Sequence, residues 1–485
     1  MTRVVFLSTV VGDLGETFVL VAPLTCVPLI VALLSAEWRM LLPMASVPFA
    51  FLILGILLQR LPKAGHEKRL STAMCSVALF WLICAAISGI PFILGLNMGV
   101  TDALFEGMAG WTGTAFTMTQ DLSTVPYTLL FWRSYMQWIG GMGIISFSIA
   151  LASSTGLFTT RILRTESREE PLTRSVISAG RSLYGIYALL TFLAIGLILF
   201  TGLSLWESVN LALTTVSTGG FTLHSGGILY YRSALLEVIL IPFMIAGALP
   251  FKLYYLIKTN RKWSFFGDEQ VKLFFFLLAA GSIVIAFDLV YFDNIDVLTA
   301  FLQGIFMAVS ALTTTGFQVV NPGGWANATL LFLTMLLFIG GASGSTAGGI
   351  KLGRVAMAYR GLLWWFKRVF VSERVIIPLR IEGKMIPRAT AELETAKNML
   401  VIILAAGIVF IATLLILQFH ITSYGITDIL FDVVSAFSTC GMSTGYVSPE
   451  MPLFSKWIFI VLMWIGRLEV IPVLMLLIVI LRGPE

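Results

Sequence analysis

The stretch "LTTTGFQVVNP", residues 312–322, places three threonines and a glycine between two segments that are apolar enough to lie in lipid. Backbone that is not helical is tolerated at membrane depth only where protein buries it or where it lines a watery cavity. A single turn of this kind is most often a simple helix break, because short motifs match by chance. Its interpretation therefore depends on whether the chain holds other copies.

Three other segments align with this stretch, and all four combine glycine with hydroxyl-bearing residues after a short helical-looking segment. They read "GWTGTAFTM" (110–118), "TVSTGGFTL" (215–223), "LTTTGFQVV" (312–320) and "FSTCGMSTG" (437–445). The copies are spaced by roughly a hundred residues, which indicates an internal repeat. Their aligned positions are Ala115, Gly220, Gly316 and Gly441.

A polar residue stands thirteen positions before each aligned residue. These residues are Asp102, Glu207, Gln303 and Asp428. An acid there suits the first turn of a helix, where it meets unpaired N–H groups and the positive end of the helix dipole. We therefore predict a repeating unit of span, short helix, hydroxyl-glycine turn and span.

Composition places the whole chain in a membrane. Of the 485 residues, 58% are hydrophobic and 12% charged, and the mean hydropathy is +0.93, whereas soluble domains carry about a quarter charged residues. We predict an all-α integral membrane protein. Its roughly ten transmembrane helices lie near 5–33, 38–59, 71–95, 126–152, 181–202, 233–257, 270–291, 327–350, 394–418 and 453–482. No cleavable signal peptide is expected, since the first apolar run lacks a small-residue cleavage site.

The Lys- and Arg-rich segments predict the orientation of the chain. They lie at 59–69, 161–174, 258–263 and 351–388, and with the predicted spans they all fall on one side of the membrane. The positive-inside rule makes that side cytoplasmic, so we expect a multi-pass protein of the cell membrane with both termini inside. Nothing in these segments points to a nucleic-acid partner.

The repeats divide the chain into an N-terminal helix pair and four pore repeats around a pseudo-fourfold axis. The predicted boundaries are 1–69 for the helix pair, 70–160, 161–265 and 266–370 for the first three repeats, and 393–485 for the fourth. Between the last two repeats, 371–392 forms a cytoplasmic linker whose alternating pattern turns at Glu382-Gly383, which predicts a small hairpin. With the preceding Trp364 and Trp365 it would form a docking surface for a partner, although membrane anchoring explains the two tryptophans equally well.

Four such turns around one axis would direct backbone carbonyls into a central pore, where they replace the water that a cation gives up. Glycine permits the backbone dihedrals this needs, and hydroxyl groups add further oxygens. The predicted filter residues are Thr114, Ala115, Thr218, Gly219, Gly220, Thr314, Thr315, Gly316, Thr439, Cys440 and Gly441.

Chemistry on a covalent bond and a bound cofactor are not expected. The spans hold no convergent set of nucleophile, base and metal ligands, and the cysteines and histidines lack the spacing of metal sites. An intramembrane enzyme is nevertheless the alternative from a different class of function.

The segment "IGGASGSTAGGIK", residues 339–351, is too rich in glycine and small polar residues for an ordinary transmembrane helix, so we expect it to break a span. A phosphate-loop interpretation fails because Gly-Lys-Ser/Thr is absent. Close helix packing through small residues is the alternative to a gate. In the last span, Arg467 and Glu469 do not share a helix face, so each is expected to have a partner elsewhere. The candidate gate residues are Gly340, Gly341, Gly344, Gly348, Gly349, Lys351 and Arg467.

The four filters and three further motifs resemble the TrkH/KtrB/HKT superfamily of potassium transporters and channels, above all its TrkH-type uptake subunits. The motifs are "FWRSYMQWIGGMGI" (131–144), "FIGGASGSTAGGIKLGR" (338–354) and "WIGRLEV" (464–470). The resemblance covers nearly the whole chain. It implies that K+ is the transported ion, that 339–351 is an intramembrane loop that gates the pore below the filter, and that Arg467 faces the pore. It also implies a homodimer with a cytoplasmic, nucleotide-binding regulatory subunit of TrkA type.

One departure from the family pattern bears on selectivity. The first filter of the family usually ends in Thr-Thr-Gly, whereas Gly113, Thr114 and Ala115 stand here. A Cβ at a position that requires left-handed backbone costs about 1–2 kcal/mol and would displace one of the carbonyls. In plant HKT relatives a serine at this place accompanies sodium permeation. A sodium-permeable uniporter or a cation-coupled symporter is therefore the alternative within transport.

Overall fold

The computed structural model describes residues 3–61, 70–154, 172–258, 267–292, 294–371, 377, 379–381, 384–419 and 422–483. Helix dominates these residues. The helices are α1 (Arg3–Val21), α2 (Val27–Leu34), α3 (Trp38–Arg60), α4 (Leu70–Leu96), α5 (Val100–Thr112), α6 (Tyr127–Ser154), α7 (Leu172–Leu199), α8 (Leu205–Val216), α9 (Ala234–Ala248), α10 (Phe251–Lys258), α11 (Glu269–Tyr291), α12 (Val297–Leu312), α13 (Asn327–Ile339), α14 (Leu352–Val369), α15 (Arg388–Phe419), α16 (Ile426–Phe437), α17 (Leu453–Arg467) and α18 (Ile471–Arg482). Parts of the four predicted basic segments lie outside the described residues, namely 62–69, 161–171, 259–263, 372–376, 378 and 382–383.

Within the described part of the chain, six helical segments are long and apolar enough to cross a membrane: 3–34, α3, α4, 180–199 of α7, α11 and α15. Two more predicted spans are bent pairs, α9 with α10 at 95° and α17 with α18 at 110°. The remaining two are the 28-residue α6 and the 13-residue α13, which ends at Gly340. The predicted all-α membrane fold is confirmed, and three of its spans are broken rather than straight.

The two bends have different local causes. Pro250 follows the end of α9 and cannot supply the N–H that a continuing helix needs. Between α17 and α18, Glu469 and Val470 adopt φ of 58° and 70°, a left-handed conformation that persists only where the surrounding structure holds it. The guanidinium of Arg354 in α14 donates to Glu469 Oε2 at 2.9 Å, and so stabilises this bend.

The N-terminal helices α1 and α3 pack together through two glycines. A Cβ at Gly15 would lie 3.0 Å from Gln59 Cγ, and one at Gly55 would lie 2.8 Å from Val19 Cγ2. Small residues let two helix backbones approach closely, which favours association in lipid, where no hydrophobic driving force acts between helices. Both helices of the pair also pack against α4, the helix that opens the first repeat.

All three acids that stand thirteen positions before an aligned residue lie in the first turn of a short helix. Glu207 and Asp428 accept hydrogen bonds from the N–H groups of Ser204 at 3.1 Å and Gly425 at 2.9 Å, as capping residues do. Asp102 also lies in the first turn of its helix, α5. Three of the short helices therefore begin where the repeat predicts.

The prediction for Gln303 is wrong. The short helix α12 has 16 residues, against 12 in α8 and α16, so that Gln303 lies in its interior. Asp296 caps α12 instead and accepts from the N–H groups of Leu298 and Thr299 at 3.2 and 3.3 Å. The count of thirteen residues back from the aligned position fails here because α12 begins four residues, or about one helical turn, earlier than the other short helices.

A small hairpin lies at the predicted place after α14. Its strands, β1 (Leu379–Ile381) and β2 (Lys384–Ile386), pair antiparallel, while the predicted turn at Glu382–Gly383 lies outside the described residues. Trp364 is only 7% exposed and donates to the Ile377 carbonyl at 2.8 Å, whereas Trp365 is 54% exposed. The two tryptophans therefore differ in role, since the first packs against the hairpin segment and the second does not.

Candidate ion pathway

The four turns share one unusual backbone conformation. The residue two places before each aligned position is left-handed: Gly113 (φ 70°), Thr218 (51°), Thr314 (53°) and Thr439 (53°). The aligned glycines are left-handed as well: Gly220 (77°), Gly316 (89°) and Gly441 (89°). A left-handed threonine costs about 1–2 kcal/mol. Its recurrence at equivalent places indicates strain that the surrounding structure maintains in all four turns.

These turns meet in a closed ring. We call residues 113–116, 218–221, 314–317 and 439–442 turns 1 to 4. A Cβ added to an aligned glycine would overlap backbone atoms of the neighbouring turn in three cases: Gly441 with Ala115, Gly316 with Cys440, and Gly220 with Thr315. Turns 1 and 2 complete the ring, since a Cβ at Gly113 would lie 3.7 Å from Gly219 Cα. The structure thus brings all the predicted filter residues together.

Ala115 departs from the other aligned residues, but not as predicted. Its φ is not left-handed, so the expectation of a strained Cβ at this position is wrong. Its peptide is turned so that the N–H donates to the Cys440 carbonyl oxygen at 3.0 Å. Ala115 therefore alters the ring by joining turn 1 to turn 4 and by occupying one carbonyl of turn 4.

Hydroxyl groups of the turns bond to the protein behind the ring. Thr114 Oγ1 lies 2.9 Å from Thr112 Oγ1, and Thr315 Oγ1 lies 2.7 Å from Thr313 Oγ1 at the equivalent place of turn 3. All four side chains are buried. These hydroxyls brace turns 1 and 3, whereas the buried hydroxyl of Thr439 in turn 4 has no hydrogen-bond partner among the described residues.

Two buried carboxylates hold the segments that follow turns 1 and 4, and the sequence analysis missed both. Glu106 and Asp432 stand nine positions before their aligned residues and are fully buried. Glu106 accepts from the Met118 N–H at 2.6 Å, and Asp432 accepts from the Thr444 N–H at 2.8 Å, at equivalent places in the two repeats. Comparing the aligned copies at every offset, rather than at thirteen alone, would have found this pair.

The charges of the two carboxylates are balanced differently. Arg133 Nε lies 3.3 Å from Glu106 Oε2, and its guanidinium lies 4.1 Å from the centre of the Phe221 ring. Asp432 is held by neutral donors, among them the Ser443 hydroxyl at 2.8 Å. Arg133 therefore links the short helix of repeat 1 to turn 2.

Arg133→Met should destabilise the protein strongly, because it leaves the Glu106 carboxylate buried without a cation. Removing one partner of a buried ion pair costs about 3–5 kcal/mol. The measurement is the thermal unfolding midpoint in detergent. Arg368→Met is the matched control, since Arg368 also combines an ion pair, with Glu392 at 2.9 Å, and a ring contact, with Trp364 at 4.8 Å, but its side chain is 28% exposed. Similar midpoints for the two variants would contradict the role given to Arg133.

Residues 340–351 form an irregular loop between α13 and α14, as their composition predicts. Four of its residues are left-handed: Gly340 (φ 69°), Gly344 (77°), Gly349 (76°) and Lys351 (75°). A Cβ at Gly341 would overlap Ala347, so the loop is also tightly folded on itself. The Thr346 N–H donates to the Gly247 carbonyl at 3.1 Å. Protein therefore satisfies and buries this backbone, which is the condition under which non-helical backbone is tolerated at membrane depth.

The loop covers one side of the ring. The Gly348 N–H donates to Thr314 Oγ1 at 2.7 Å, and Thr346 Oγ1 lies 3.1 Å from Thr218 Oγ1. A Cβ at Gly348 would overlap the Ser438 carbonyl oxygen. The loop thus touches the first residues of turns 2 and 3 and the residue before turn 4.

Two buried cations lie against this loop. Arg467 is 3% exposed and donates to the carbonyl oxygens of Thr346 at 2.8 Å and Gly140 at 3.1 Å. Lys351 Nζ donates to the Ala347 carbonyl. Since Glu469 pairs with Arg354, the expectation that Arg467 and Glu469 have separate partners is confirmed.

A ring of four helix-and-turn segments inside a bundle of apolar helices defines the architecture of a polytopic membrane protein. Among the residues that the structure describes, no group of three or more His, Cys, Asp or Glu side chains could hold a metal ion. The model of the TrkH family, described as a cation transport protein, matches residues 45–484. The chain belongs to this family.

Several relatives are similar over most of their length. An uncharacterized cation transporter from Methanocaldococcus jannaschii is 32% identical over 96% of this chain and 94% of its own. The Trk system potassium uptake protein TrkH from Halomonas elongata is 28% identical over 86% and 88%. The crystal structure of the potassium transporter TrkH from Vibrio parahaemolyticus has a TM-score of 0.84 at 24% identity and covers 97% of this chain and 98% of its own.

These relationships confirm the predicted family and the all-α membrane fold. They also confirm that the chain is a transporter and not an enzyme, because the family and its relatives are transport proteins. The alternative of an intramembrane enzyme is thereby set aside.

Proposed function

We propose that this chain is a potassium uptake protein that conducts monovalent cations passively through the ring of turns. The observation that carries the proposal is the closed ring of four turns whose backbones approach within contact distance of one another. Carbonyl oxygens in such a ring replace the hydration shell of an ion. Relatives from Halomonas elongata and Escherichia coli are named potassium uptake proteins, which supports potassium as the ion.

The test is reconstitution of the purified protein into vesicles, with rubidium and sodium uptake measured against an imposed voltage. A negative interior contributes about 2.3 kcal/mol per charge for each 100 mV. Rubidium should therefore accumulate without any proton or sodium gradient. Uptake that requires such a gradient would favour a coupled symporter, and the absence of voltage-driven uptake would contradict the proposal.

A sodium-permeable pathway is the second candidate, and Ala115 is the residue that favours it. Its Cβ would lie 2.8 Å from a Cβ at Gly316 and 3.0 Å from one at Gly220, so its methyl group projects among the other turns. Its N–H also occupies the Cys440 carbonyl. Turn 1 is thus the turn that is least equivalent to the rest, and filter selectivity depends on how many carbonyls coordinate the ion.

Ala115→Gly should lower sodium permeability relative to potassium. Glycine removes the methyl group and permits the left-handed backbone that the three aligned glycines adopt. The measurement is the reversal potential in planar bilayers under mixed sodium and potassium gradients. Ala326→Gly, outside the turns, is the control. An unchanged sodium-to-potassium ratio in Ala115→Gly would remove Ala115 from the account of selectivity.

We further propose that the loop 340–351 gates this pathway and that Arg467 hinders cations from dwelling beneath the ring. Contacts of the loop with the ring support the first point, and the buried guanidinium beside the loop supports the second. A homodimer, and a cytoplasmic regulatory subunit of TrkA type that docks near the hairpin, complete the proposal. Cross-linking and co-purification in native membranes would test both partners.

A further inference from the structure

Turn 2 lacks a side chain where the other turns have one. The residue just before the aligned position is Thr114, Thr315 or Cys440 in turns 1, 3 and 4, but Gly219 in turn 2. The two threonines brace their own turns by hydroxyl contacts, and the Cys440 thiol lies 3.9 Å from the Ser310 carbonyl oxygen. Gly219 is not left-handed, so its backbone conformation does not require glycine.

Gln137, from the neighbouring helix α6, fills the space beside Gly219. A Cβ at Gly219 would lie 2.8 Å from Gln137 Cβ and would overlap the side-chain amide. Gln137 is fully buried, and its position is 82 residues from Gly219 in the chain. The glycine in turn 2 is therefore explained by the close approach of this glutamine.

The amide of Gln137 bonds to turns 1 and 2 at once. Its Nε2 donates to the carbonyl oxygens of Gly219 at 2.8 Å and Thr114 at 3.3 Å, and its Oε1 accepts from the Phe221 N–H at 3.1 Å. Because a backbone N–H can only donate and a carbonyl can only accept, these partners fix which end of the amide is which. One side chain thus orients two backbone carbonyls of the ring.

We propose that Gln137 is a positioning residue for ion selectivity. Although it belongs to helix α6, its side chain occupies the place of the one that Gly219 does not supply to turn 2. This inference rests on the proposed function, since it concerns the same ring. A carbonyl that accepts a hydrogen bond from Nε2 is held towards the glutamine, and the direction and field strength of such carbonyls govern selectivity. The equivalent carbonyl of turn 4, that of Cys440, is instead held by the Ala115 N–H at 3.0 Å. The turns are therefore braced unequally, and Gln137 sets the geometry of two of them.

The first test is Gln137→Met, which keeps the length and approximate volume of the side chain but removes its hydrogen bonds. We expect the sodium-to-potassium permeability ratio in planar bilayers to change by about fivefold or more, the factor for one net hydrogen bond. Gln318→Met is the matched control. Gln318 makes a similar pair of bonds, to the Ser443 carbonyl at 2.9 Å and from the Ser443 N–H at 3.3 Å, but touches no carbonyl of the ring. A parental ratio in Gln137→Met, or an equal shift in both variants, would overturn the inference.

The second test moves the side chain that fills the space beside turn 2 from residue 137 to residue 219. Gly219→Thr gives turn 2 the residue of turns 1 and 3 and should reduce flux at least about tenfold, because its Cβ overlaps Gln137. Adding Gln137→Ala removes the amide, which is the larger part of the obstacle, and leaves only the contact of 2.8 Å with the Cβ of residue 137. The double variant should therefore regain part of the flux and have a permeability ratio nearer to the parent than Gln137→Ala alone. If the effects of the two substitutions on flux and on the permeability ratio were additive, Gln137 would not stand in for a side chain at position 219, because residues that share a site are expected to couple.

Thermal unfolding of the same variants in detergent separates folding from selectivity. If the single variants are unstable, their changes in unfolding midpoint should be non-additive in the double variant, as their effects on flux are expected to be. If the parent protein carries no cation flux, the proposed function fails, and the unfolding cycle still tests whether the two side chains compete for one space. If the parent conducts but the cycle is additive in both measurements, only the inference about Gln137 fails.

Discussion

Gly441→Ala is expected to abolish voltage-driven rubidium uptake. The added methyl group would overlap the backbone of Ala115, and the alanine would be forced to a φ of 89°. The left-handed backbone costs about 1–2 kcal/mol and the overpacking about 1–3 kcal/mol, so a ring that must relax to conduct should lose at least about thirtyfold in flux. Uptake into vesicles, normalised to the amount of folded protein, is the measurement.

Gly445→Ala is the matched control for this variant. Gly445 is also left-handed, with a φ of 115°, but it lies after turn 4, where an added Cβ would approach only Tyr424, at 3.1 Å from its hydroxyl. The control therefore carries comparable backbone strain without the overlap inside the ring, and it should retain most of the flux. Equal losses in the two variants would show that strain alone is responsible and would count against the ring as the pathway.

Gly348→Ala is expected to open the pathway. Its φ is not left-handed, so alanine suits the backbone, but the Cβ would overlap the Ser438 carbonyl and Thr439 Oγ1. An overlap of about 1–3 kcal/mol that exists only while the loop rests on the ring would shift the equilibrium between open and closed states by about five- to a hundredfold. The measurement is open probability in single-channel recordings, and the sodium-to-potassium ratio should stay at its parental value.

Gly324→Ala provides the reference for Gly348→Ala. A Cβ at Gly324 would meet no heavy atom within 4 Å, so the same chemical change is made without any overlap. We expect the open probability of this control to match the parent. If Gly348→Ala also left open probability unchanged, the loop would be a packing element, as the small-residue alternative holds. If it altered the permeability ratio instead, the loop would belong to the filter.

The ring is an assembly of unequal parts held by contacts between repeats. Gln137 bonds to turns 1 and 2, and the Ala115 N–H joins turn 1 to turn 4. Each connection is of a different kind. A strictly fourfold filter would present equivalent carbonyls to an ion, whereas here the hydrogen bonds made by individual carbonyls differ from turn to turn. Selectivity in this protein should therefore respond to residues that never touch the ion.

Much of the fold was predictable because its signals are local. A run of apolar residues is long enough to span lipid regardless of its neighbours, and the glycines of the loop 340–351 disfavour helix wherever they occur. The prediction for Gln303 failed because the start of a helix depends on its own cap, Asp296, and not on its distance from the turn. The prediction for Ala115 failed because its peptide is oriented by Cys440, which lies in another repeat.

By itself, the sequence determined that the chain crosses the membrane many times, that four turns recur within it, and which family it resembles. Hydrophobicity, glycine content and repeated motifs are properties of short segments, so they can be recognised without knowing what each segment packs against. Only the tertiary structure decided which carbonyls are braced, why Gly219 is a glycine, and where Arg133 and Arg467 find their partners. Those outcomes depend on contacts such as that between Gln137 and Gly219, whose separation of 82 residues leaves no local pattern in the chain.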